Sequence, residues 1–296
     1  MEIIFLGTSC SMPTKERNHP AIFVSHQTEG ILLDCGENTQ RQLRIAGIRP
    51  TRINKILISH WHGDHVLGLG GLLQTFAGSD YTTTLKIYGP KGTKQYFENL
   101  RKSFAFDAMP ELELHEVNKG IIYQNNEIII EAALLKHRIP CVGYSIKEKD
   151  KRKIDMKKTK KLGLKEGPLL GKIVEGKTIE VNDKKIHPDD VSYIKKGRKI
   201  AYVADTLPCD GAINIAKDAD ILIAEATYKS DLQEKAHDNY HMTAKEAALI
   251  ANKANVKKLY LFHYSTRYKK TLELIEDARK YFDNVFGAED FLEVKL

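Results

Sequence analysis

The chain has 296 residues, of which 42% are hydrophobic and 29% charged, and this composition is typical of a globular protein with a substantial core. No apolar run approaches roughly 18 residues, which excludes a membrane-spanning helix from the expected elements. The net charge of +7 is compatible with a polyanionic partner. The chain starts with Met-Glu and runs directly into a predicted strand, unlike a secretory signal, and its four cysteines are scattered without Cys-x-x-Cys spacing. We therefore expect reduced thiols and a cytoplasmic protein.

The chain opens with three predicted strands rich in Ile, Phe, Val and Leu, at residues 2–6, 21–25 and 30–34. The third ends in Asp34, which could be a turn residue or could orient a metal-bound histidine, and the sequence leaves both interpretations open. A helix is predicted over residues 38–46, because Gly47 would end it.

Four potential metal ligands follow the apolar run at residues 56–58, which predicts a short buried strand. His60 and His62 would point to the same side of an extended segment, because side chains alternate along a strand. Asp64 and His65 come at the turn into a predicted helix, where the chain can aim them at a second point. Imidazole and carboxylate groups commonly bind zinc and similar ions, so this loop could serve two neighbouring ions. The alternative is a polar turn with hydrogen-bonded histidines.

The spacing His-x-His-x-Asp-His resembles the metal-binding motif of the metallo-β-lactamase superfamily. This resemblance implies an α/β fold, a four-layer αβ/βα sandwich. The loop Pro-x-Lys-x-Arg-Asn at residues 13–18 is similar to one in the ribonuclease Z family, endonucleases that trim the 3′ trailer from precursor tRNA. The similarity implies that Lys15, Arg17 and Asn18 contact the tRNA 3′ end, whereas a charged loop in general is simply solvated.

His137 extends the candidate metal site, because the predicted strand at 127–135 runs directly towards it. A single histidine at a strand end is more often structural. Next to a metal-binding loop, however, it becomes the best candidate for the third histidine of one ion. The elements before it are predicted strands at 85–88, 112–117 and 121–123 and a helix at 91–104.

Residues 147–172 differ in composition from the rest of the chain. They contain 11 Lys or Arg and 4 Asp or Glu, so their net charge of +7 equals that of the whole protein. A solvated lysine-rich insert is the alternative to a clamp on a phosphate backbone. The Gly-Pro pair in this stretch resembles a motif in the flexible arm of ribonuclease Z proteins. The resemblance implies a single domain, 1–296, interrupted at about 147–195 by a tRNA-binding arm that includes Lys157, Lys158, Lys160, Lys161, Gly167 and Pro168.

Three further buried strands are predicted at 199–203, 220–224 and 259–262. They lead to Asp205, Glu225 and His263, so all the candidate metal ligands and Glu225 lie at strand ends, where α/β proteins assemble active sites. Helices are predicted at 243–253 and 269–282, the first with a Thr-x-x-Glu capping box.

The resemblance implies a role for each candidate. One ion would be held by His60, His62 and His137, the other by Asp64, His65 and His263, with Asp205 as a bridge. The ions would be Zn²⁺, two per subunit, although these ligands also tolerate Mn²⁺. Asp64 would take a proton from the attacking water, and Glu225 with His241 would protonate the departing ribose 3′-oxygen. Ser265 and Arg267 could bind the scissile phosphate.

The expected function is therefore a zinc-dependent endoribonuclease that removes the 3′ trailer from precursor tRNA. It would leave a 3′-hydroxyl on the tRNA and a 5′-phosphate on the trailer, and the resemblance also implies a homodimer. One alternative is a phosphodiesterase of the same superfamily that acts on small or cyclic nucleotides and needs no basic arm. Another is a nucleic-acid-binding protein with a vestigial metal site, against which the intact ligand set argues.

Overall fold

The computed structural model describes residues 1–79, 81–106, 108–164, 167–181 and 184–296. These residues form two compact units. The first contains Met1–Gln124, Ile130–Ile146 and Lys199–Leu296, and the second contains Asn125–Ile129 and Lys147–Arg198. None of the described helices is both long and apolar enough to cross a membrane.

The described residues contain eighteen strands. In chain order they are β1 (Glu2–Gly7), β2 (Ala21–His26), β3 (Glu29–Leu33), β4 (Lys55–Leu57), β5 (Leu85–Gly89), β6 (Leu112–Glu116), β7 (Gly120–Gln124), β8 (Ile128–Leu134), β9 (Val142–Glu148), β10 (Lys151–Ile154), β11 (Ile179–Val181), β12 (Lys184–Ile186), β13 (Ser192–Lys195), β14 (Lys199–Val203), β15 (Ile221–Glu225), β16 (Lys258–Phe262), β17 (Val285–Gly287) and β18 (Glu293–Lys295). Most strands of the first unit are rich in Ile, Val, Leu and aromatic residues, which favour a pleated, half-buried surface.

Eleven α-helices connect or cover these strands. They are α1 (Thr39–Ile45), α2 (Gly63–Val66), α3 (Leu69–Ala77), α4 (Thr93–Lys102), α5 (Met156–Lys161), α6 (Pro168–Val174), α7 (Pro188–Val191), α8 (Asp210–Ala216), α9 (Gln233–Asp238), α10 (Ala244–Lys253) and α11 (Leu272–Arg279). Short 3₁₀ turns lie at Pro50–Arg52 and Ser230–Leu232. The capping box of α10 forms as predicted, with Thr243 and Glu246 each accepting from the other's backbone N–H.

Two seven-stranded sheets organise the fold, in the orders β18-β1-β2-β3-β4-β5-β6 and β17-β16-β15-β14-β9-β8-β7. β3, β4, β5 and β6 run parallel to one another, and so do β14, β15, β16 and β17. Parallel strands end at a common edge, and the loops that follow them therefore meet there.

A helical layer covers the outer face of each sheet. The first sheet and helices α1, α3 and α4 share a core that includes Leu43, Leu73 and Phe97. The second sheet shares its core with α8, α10 and α11, through residues such as Ile215 and Leu274. Large aromatic side chains, such as Phe5 against Tyr260, pack between the sheets with ring centroids 5.9 Å apart. This is the four-layer αβ/βα sandwich expected from the sequence, and the predicted fold class is confirmed.

The main difference from the predicted elements is β9, which the sequence analysis did not assign. Its sequence, Val-Gly-Tyr-Ser-Ile-Lys-Glu, mixes small and charged residues with apolar ones, so no clear strand pattern emerges. In the fold it is an inner strand, and Val142 N–H donates to the Ser59 carbonyl beside the metal-binding loop. Gly143 suits this position because a Cβ there would lie only 3.0 Å from the Tyr202 carbonyl oxygen. Helices α8 and α9 and strands β17 and β18 were also missed.

The second unit holds the lysine-rich segment and has a small core of its own. Two antiparallel strand pairs, β10 with β13 and β11 with β12, accompany helices α5, α6 and α7. Six buried apolar residues form the core: Leu164, Leu170, Ile173, Ile179, Ile186 and Val191. Lys157, Lys158, Lys160 and Lys161 lie exposed on α5, and Pro168 is the first residue of α6, after Gly167. The segment is thus folded and its lysines are exposed, whereas composition alone predicted only that it is lysine-rich and solvated. Its flexibility and its status as an insertion in one domain stay predictions.

Candidate metal centre

The candidate ligands converge because each follows a strand of one of the two sheets. The loop after β4 carries His60 and His62 and leads into α2, which contains Asp64 and His65. The other three follow strands of the second sheet: His137 after β8, Asp205 after β14 and His263 after β16. Sequence neighbours and residues almost 200 positions apart thus meet at one place, and all seven are brought together as the strand-end pattern predicted.

The first group consists of His60, His62, His137 and Asp205. His62 Nδ1 lies 3.0 Å from His60 Nε2 and 3.2 Å from His137 Nε2. Asp205 Oδ2 is 3.6 Å from His60 Nε2 and 4.0 Å from His137 Nε2. One donor atom from each residue lies within 4.8 Å of all the others, which is close enough to surround a single ion.

The second group consists of Asp64, His65 and His263. His65 Nε2 is 3.3 Å from His263 Nε2, and Asp64 Oδ2 is 3.7 Å from the first nitrogen and 3.6 Å from the second. Asp205 Oδ1 also lies 3.5 Å from His65 Nε2, while Oδ2 faces the first group. The two oxygens of one carboxylate therefore face different groups, which is the arrangement that a bridging ligand needs.

The residues fit a pair of divalent cations. Asp205 is buried, and its Oδ1 accepts no hydrogen bond from the part of the chain that the structure describes. Burial would raise the pKa of Asp205, but the surrounding histidines, His263 first, hold it well below its ordinary value. Burial lowers the pKa of His60 well below its usual range, so its ring is neutral and a nitrogen lone pair is available. An ionised, unsatisfied carboxylate among imidazole nitrogens suits Zn²⁺ or Mn²⁺.

Asp34 positions His65 of the second group through Nδ1, the ring nitrogen that does not face the other candidate ligands. Its backbone has a left-handed φ of 55°, which is uncommon for a non-glycine residue. Its carboxylate accepts hydrogen bonds from Ser59 N–H at 2.6 Å and Tyr202 O–H at 2.5 Å, and its Oδ2 lies 2.7 Å from His65 Nδ1. An Nδ1–H that donates to Asp34 leaves the Nε2 lone pair of His65 facing the site. Of the two interpretations that the sequence left open, the acceptor is the one found.

Glu225, which is buried, and His241, which is partly exposed to the cavity, form a pair beside the ligands. His241 Nδ1 lies 3.1 Å from Glu225 Oε1 and 3.2 Å from Oε2. The carboxylate also accepts from Thr206 N–H at 2.8 Å and from the Thr227 hydroxyl at 2.6 Å, two partners that the sequence analysis did not identify. Burial would lower the pKa of His241, but the carboxylates of Glu225 and Asp205 outweigh this and raise it to about 9. The imidazole is therefore a cation at neutral pH.

A cavity of about 500 Å³ opens onto the centre. Its lining includes the side chains of Asp64, His137 and His241. It also includes Arg138 and Tyr228, which the sequence analysis missed because neither belongs to a metal-ligand pattern.

The loop at 13–18 is held by hydrogen bonds to other segments. Arg17 Nη2 donates to the Tyr268 carbonyl at 2.6 Å, and the Asn18 amide side chain donates to the Glu37 carbonyl at 2.8 Å. Lys15 is exposed and lines a second cavity, of about 960 Å³, together with Lys269 and Lys270. Arg17 and Asn18 thus have structural contacts in addition to the RNA contacts predicted for them.

The two candidates after His263 lie near the same centre. The Ser265 N–H donates to the carbonyl of Thr227 at 3.3 Å, and the hydroxyl of the same threonine donates to Glu225. The Arg267 guanidinium lies over the ring of Tyr228, 5.2 Å from its centroid, and Tyr228 lines the cavity. Contact of either side chain with a substrate phosphate stays a prediction.

Comparison with known proteins identifies the family. A model described as a beta-lactamase superfamily domain matches residues 181–264, and one described as anti-Pycsar protein Apyc1 matches residues 1–137. Ribonuclease Z of Chlamydia trachomatis serovar L2 is 40% identical over 290 residues, which are 98% of this chain and 95% of that protein. Ribonuclease Z of Methanothermobacter thermautotrophicus is 38% identical over 297 residues, covering 100% and 97%.

Solved structures agree with these relatives. Human tRNase Z, short form, has a TM-score of 0.73 and 27% identity, over 100% of this chain and 99% of that one. The metallo-beta-lactamase fold protein YhfI from Bacillus subtilis shares the fold at 17% identity, with a TM-score of 0.72 and coverage of 99% and 98%. The chain belongs to the ribonuclease Z family, which makes it a metal-dependent endoribonuclease with the metallo-β-lactamase fold.

Proposed function

We propose that this protein is a zinc-dependent endoribonuclease that removes the 3′ trailer from precursor tRNA in the cytoplasm. The observation that carries the proposal is the combination of a seven-residue ligand set with the adjacent Glu225–His241 pair. The names of the relatives, ribonuclease Z and tRNase Z, support RNA and tRNA as the substrate class.

The ligand set supports a division of labour between two ions. His60, His62 and His137 would hold one, Asp64, His65 and His263 the other, and Asp205 would bridge them. When bound, a pair of divalent cations polarises a phosphoryl oxygen and makes water a better nucleophile.

Asp64 is the proposed acceptor of the proton from the attacking water. Burial would raise the pKa of Asp64, but His65 and the hydrogen bond with His263 hold it well below the ordinary range. The carboxylate is therefore ionised at neutral pH, which is the state that a proton acceptor requires. Its Oδ2 accepts from the Ser11 N–H at 3.0 Å, which fixes its orientation at the cavity wall.

His241 is the proposed donor of a proton to the departing ribose 3′-oxygen. Its Nδ1 faces the Glu225 carboxylate, so Nε2–H is the donor available to a substrate. As the water oxygen forms its bond to phosphorus, the bond between phosphorus and the 3′-oxygen breaks, and the proton from His241 goes to this leaving oxygen. The products would be a 3′-hydroxyl on the tRNA and a 5′-phosphate on the trailer. Ser265 and Arg267 would bind the scissile phosphate.

The second unit is the proposed tRNA clamp. Its exposed lysines on α5 can neutralise backbone phosphates without reading the base sequence. The family resemblance supports a homodimer in which the arm of one subunit holds a tRNA cut by the other. A catalytically intact chain that lacks the arm should then show activity when it is mixed with an Asp64→Ala chain that retains the arm, because heterodimers combine the two functions. Heterodimers that form and stay inactive would contradict this arrangement.

A phosphodiesterase for small or cyclic nucleotides is the second candidate. The cavity of about 500 Å³ has the size of a small-molecule site, and the fold also occurs in proteins of other activities, such as a diphosphatase at 16% identity. The deciding experiment is incubation of the purified protein with a 3′-extended tRNA and Zn²⁺ or Mn²⁺, followed by analysis of both product ends. Hydrolysis of a cyclic nucleotide without any cut in the tRNA would favour the second candidate.

A further inference from the structure

Two pairs of arginine and tyrosine side chains lie near His241. The first is Tyr228, whose ring centroid is 6.5 Å from that of His241, with the Arg267 guanidinium 5.2 Å from the Tyr228 ring centroid. The second is Tyr240, the residue before His241, with the guanidinium carbon of Arg138 5.5 Å from its ring centroid. Arg267 has a predicted phosphate-binding role, whereas Arg138 and Tyr240 have none so far.

Arg138 is held in a fixed position at the wall of the cavity. One guanidinium nitrogen donates to the Asp238 carbonyl at 2.5 Å, and the ring of Tyr240 supports the planar group. The side chain is exposed and lines the cavity. A guanidinium has five N–H donors and stays charged at all relevant pH values, so several donors remain for an anionic ligand.

The backbone of Tyr240 links this arginine to the metal centre. Its φ of 58° lies in the left-handed region, which is strained for an aromatic residue and often marks a functional site. Its carbonyl oxygen lies 3.0 Å from His137 Nδ1 and would accept a hydrogen bond from it. One residue thus orients a candidate ligand through its carbonyl and supports Arg138 through its ring.

We propose that Arg138, supported by Tyr240, binds the RNA phosphate one position to the 5′ side of the scissile phosphate. This inference rests on the proposed function, because it takes the nucleotide whose 3′-oxygen His241 protonates as its reference point. That nucleotide carries one further phosphate, on its 5′ oxygen, and Arg138 lines the same cavity as His241 while packing on a different tyrosine from Arg267. The planar fork of a guanidinium matches two phosphate oxygens, which a lysine cannot reproduce.

The test pairs a protein change with a change in the substrate. Arg138→Ala and the unaltered enzyme are each assayed on a precursor tRNA and on the same precursor with an uncharged methylphosphonate at that one position. On the normal precursor, kcat/KM should fall about 10-fold to 100-fold in Arg138→Ala, the range for a charged hydrogen-bonded contact. On the methylphosphonate substrate the two enzymes should differ by less than about 3-fold, since the contact is already lost.

Three further variants separate charge, support and folding. Lys136→Ala removes an exposed charge from the same loop outside the cavity lining and should leave both rates unchanged. Arg138→Lys should recover only part of the loss, because the fork is missing. Tyr240→Gly accepts the positive φ without the ring and should reproduce the substrate pattern of Arg138→Ala with a smaller loss. Unchanged zinc content and melting temperature in each variant would exclude a damaged fold.

An equal loss in Arg138→Ala on both substrates, or no loss on either, would overturn the inference. A methylphosphonate on the trailer side of the cut serves as the positional control, and coupling of Arg138 to that position would also overturn it. Failure of the unaltered enzyme to cut any precursor at the tRNA 3′ end would contradict the proposed function itself. That result would be known before any variant is compared, and it would also overturn the inference about Arg138, which rests on the proposed function.

Discussion

The metal centre and the lysine-rich second unit put their functional groups together in opposite ways. The centre gathers a few buried side chains from distant parts of the chain, and hydrogen bonds such as those to Asp34 fix their orientation. The second unit presents many exposed cations from one stretch of sequence, and α5 carries four lysines within six residues. The contrast indicates that the centre depends on exact positions, whereas the second unit depends on total charge. Individual substitutions should therefore be severe in the first region and mild in the second.

The largest effect is expected at Asp205. Asp205→Ala removes the carboxylate whose two oxygens face the two ligand groups, so both proposed ions should bind more weakly. We expect the cleavage rate to fall on the order of 10⁴-fold, as when a central catalytic group is removed. Elemental analysis together with a cleavage assay checks this, with Asp205→Asn as the variant of matched shape. Two tightly held ions in purified Asp205→Ala would contradict the bridging role.

His241→Ala should come next, with an effect on the chemical step alone. Loss of a proton donor costs about 10²-fold to 10⁴-fold in rate, and it acts mainly in the transition state, so binding of precursor tRNA should hardly change. Single-turnover rates at saturating enzyme and binding titrations separate the two quantities. Weakened binding with a normal single-turnover rate would be the opposite of what we expect.

The same residue predicts a dependence on pH. The pKa of His241 is raised to about 9, so the donor is protonated below this value and is lost as the pH rises through it. The single-turnover rate of the unaltered enzyme should therefore include a limb that falls near pH 9. His241→Ala should lack this limb, and its persistence in the variant would assign it to another group.

A moderate effect is expected when charge is removed from the second unit. Changing Lys157, Lys158, Lys160 and Lys161 to Gln should weaken tRNA binding and lower the log–log salt slope by roughly 0.7–0.9 per lost phosphate contact. The single-turnover rate on bound tRNA should change little. The matched control changes four exposed lysines of the first unit, namely Lys91, Lys94, Lys102 and Lys119. Equal weakening in both variants would show that net charge alone matters.

The smallest effect is expected from the core of the second unit. Ile173 is fully buried there, and Ile173→Ala should destabilise that unit by about 2–5 kcal/mol through lost burial and a cavity. We expect a loss of tRNA affinity of a few-fold that grows with temperature, while the content of bound metal stays the same. Hydrogen exchange of α5 and α6 would locate the change. Loss of bound metal in this variant would contradict the contrast drawn between the two regions.

The sequence and the family resemblance were sufficient for the fold class and for naming the seven candidate ligands, which the structure brings together; their binding of metal stays a prediction. These residues follow apolar strands at recognisable spacing, and a pattern formed by neighbouring residues can be recognised from the sequence alone. Arg138 and Tyr240 were missed because their importance arises only when two distant loops meet. The same holds for β9, whose inner position depends on its neighbours and not on its own residues. Composition predicted the charge of the second unit, but its core consists of isolated apolar residues with no clear period.

The hydrogen bond from Tyr202 to Asp34 has a consequence for assembly of the protein. Tyr202 belongs to the second sheet and Asp34 follows the last residue of a strand in the first, so the orientation of His65 is complete only after the two sheets have docked. The ligands themselves divide in the same way, four before residue 66 and three after residue 136. A nascent chain that has emerged only as far as α4 carries the whole His-x-His-x-Asp-His motif but only four of the seven candidate ligands, so we expect it to bind metal less tightly than the complete chain. Complete assembly of the candidate metal site is therefore expected to be a late step of folding.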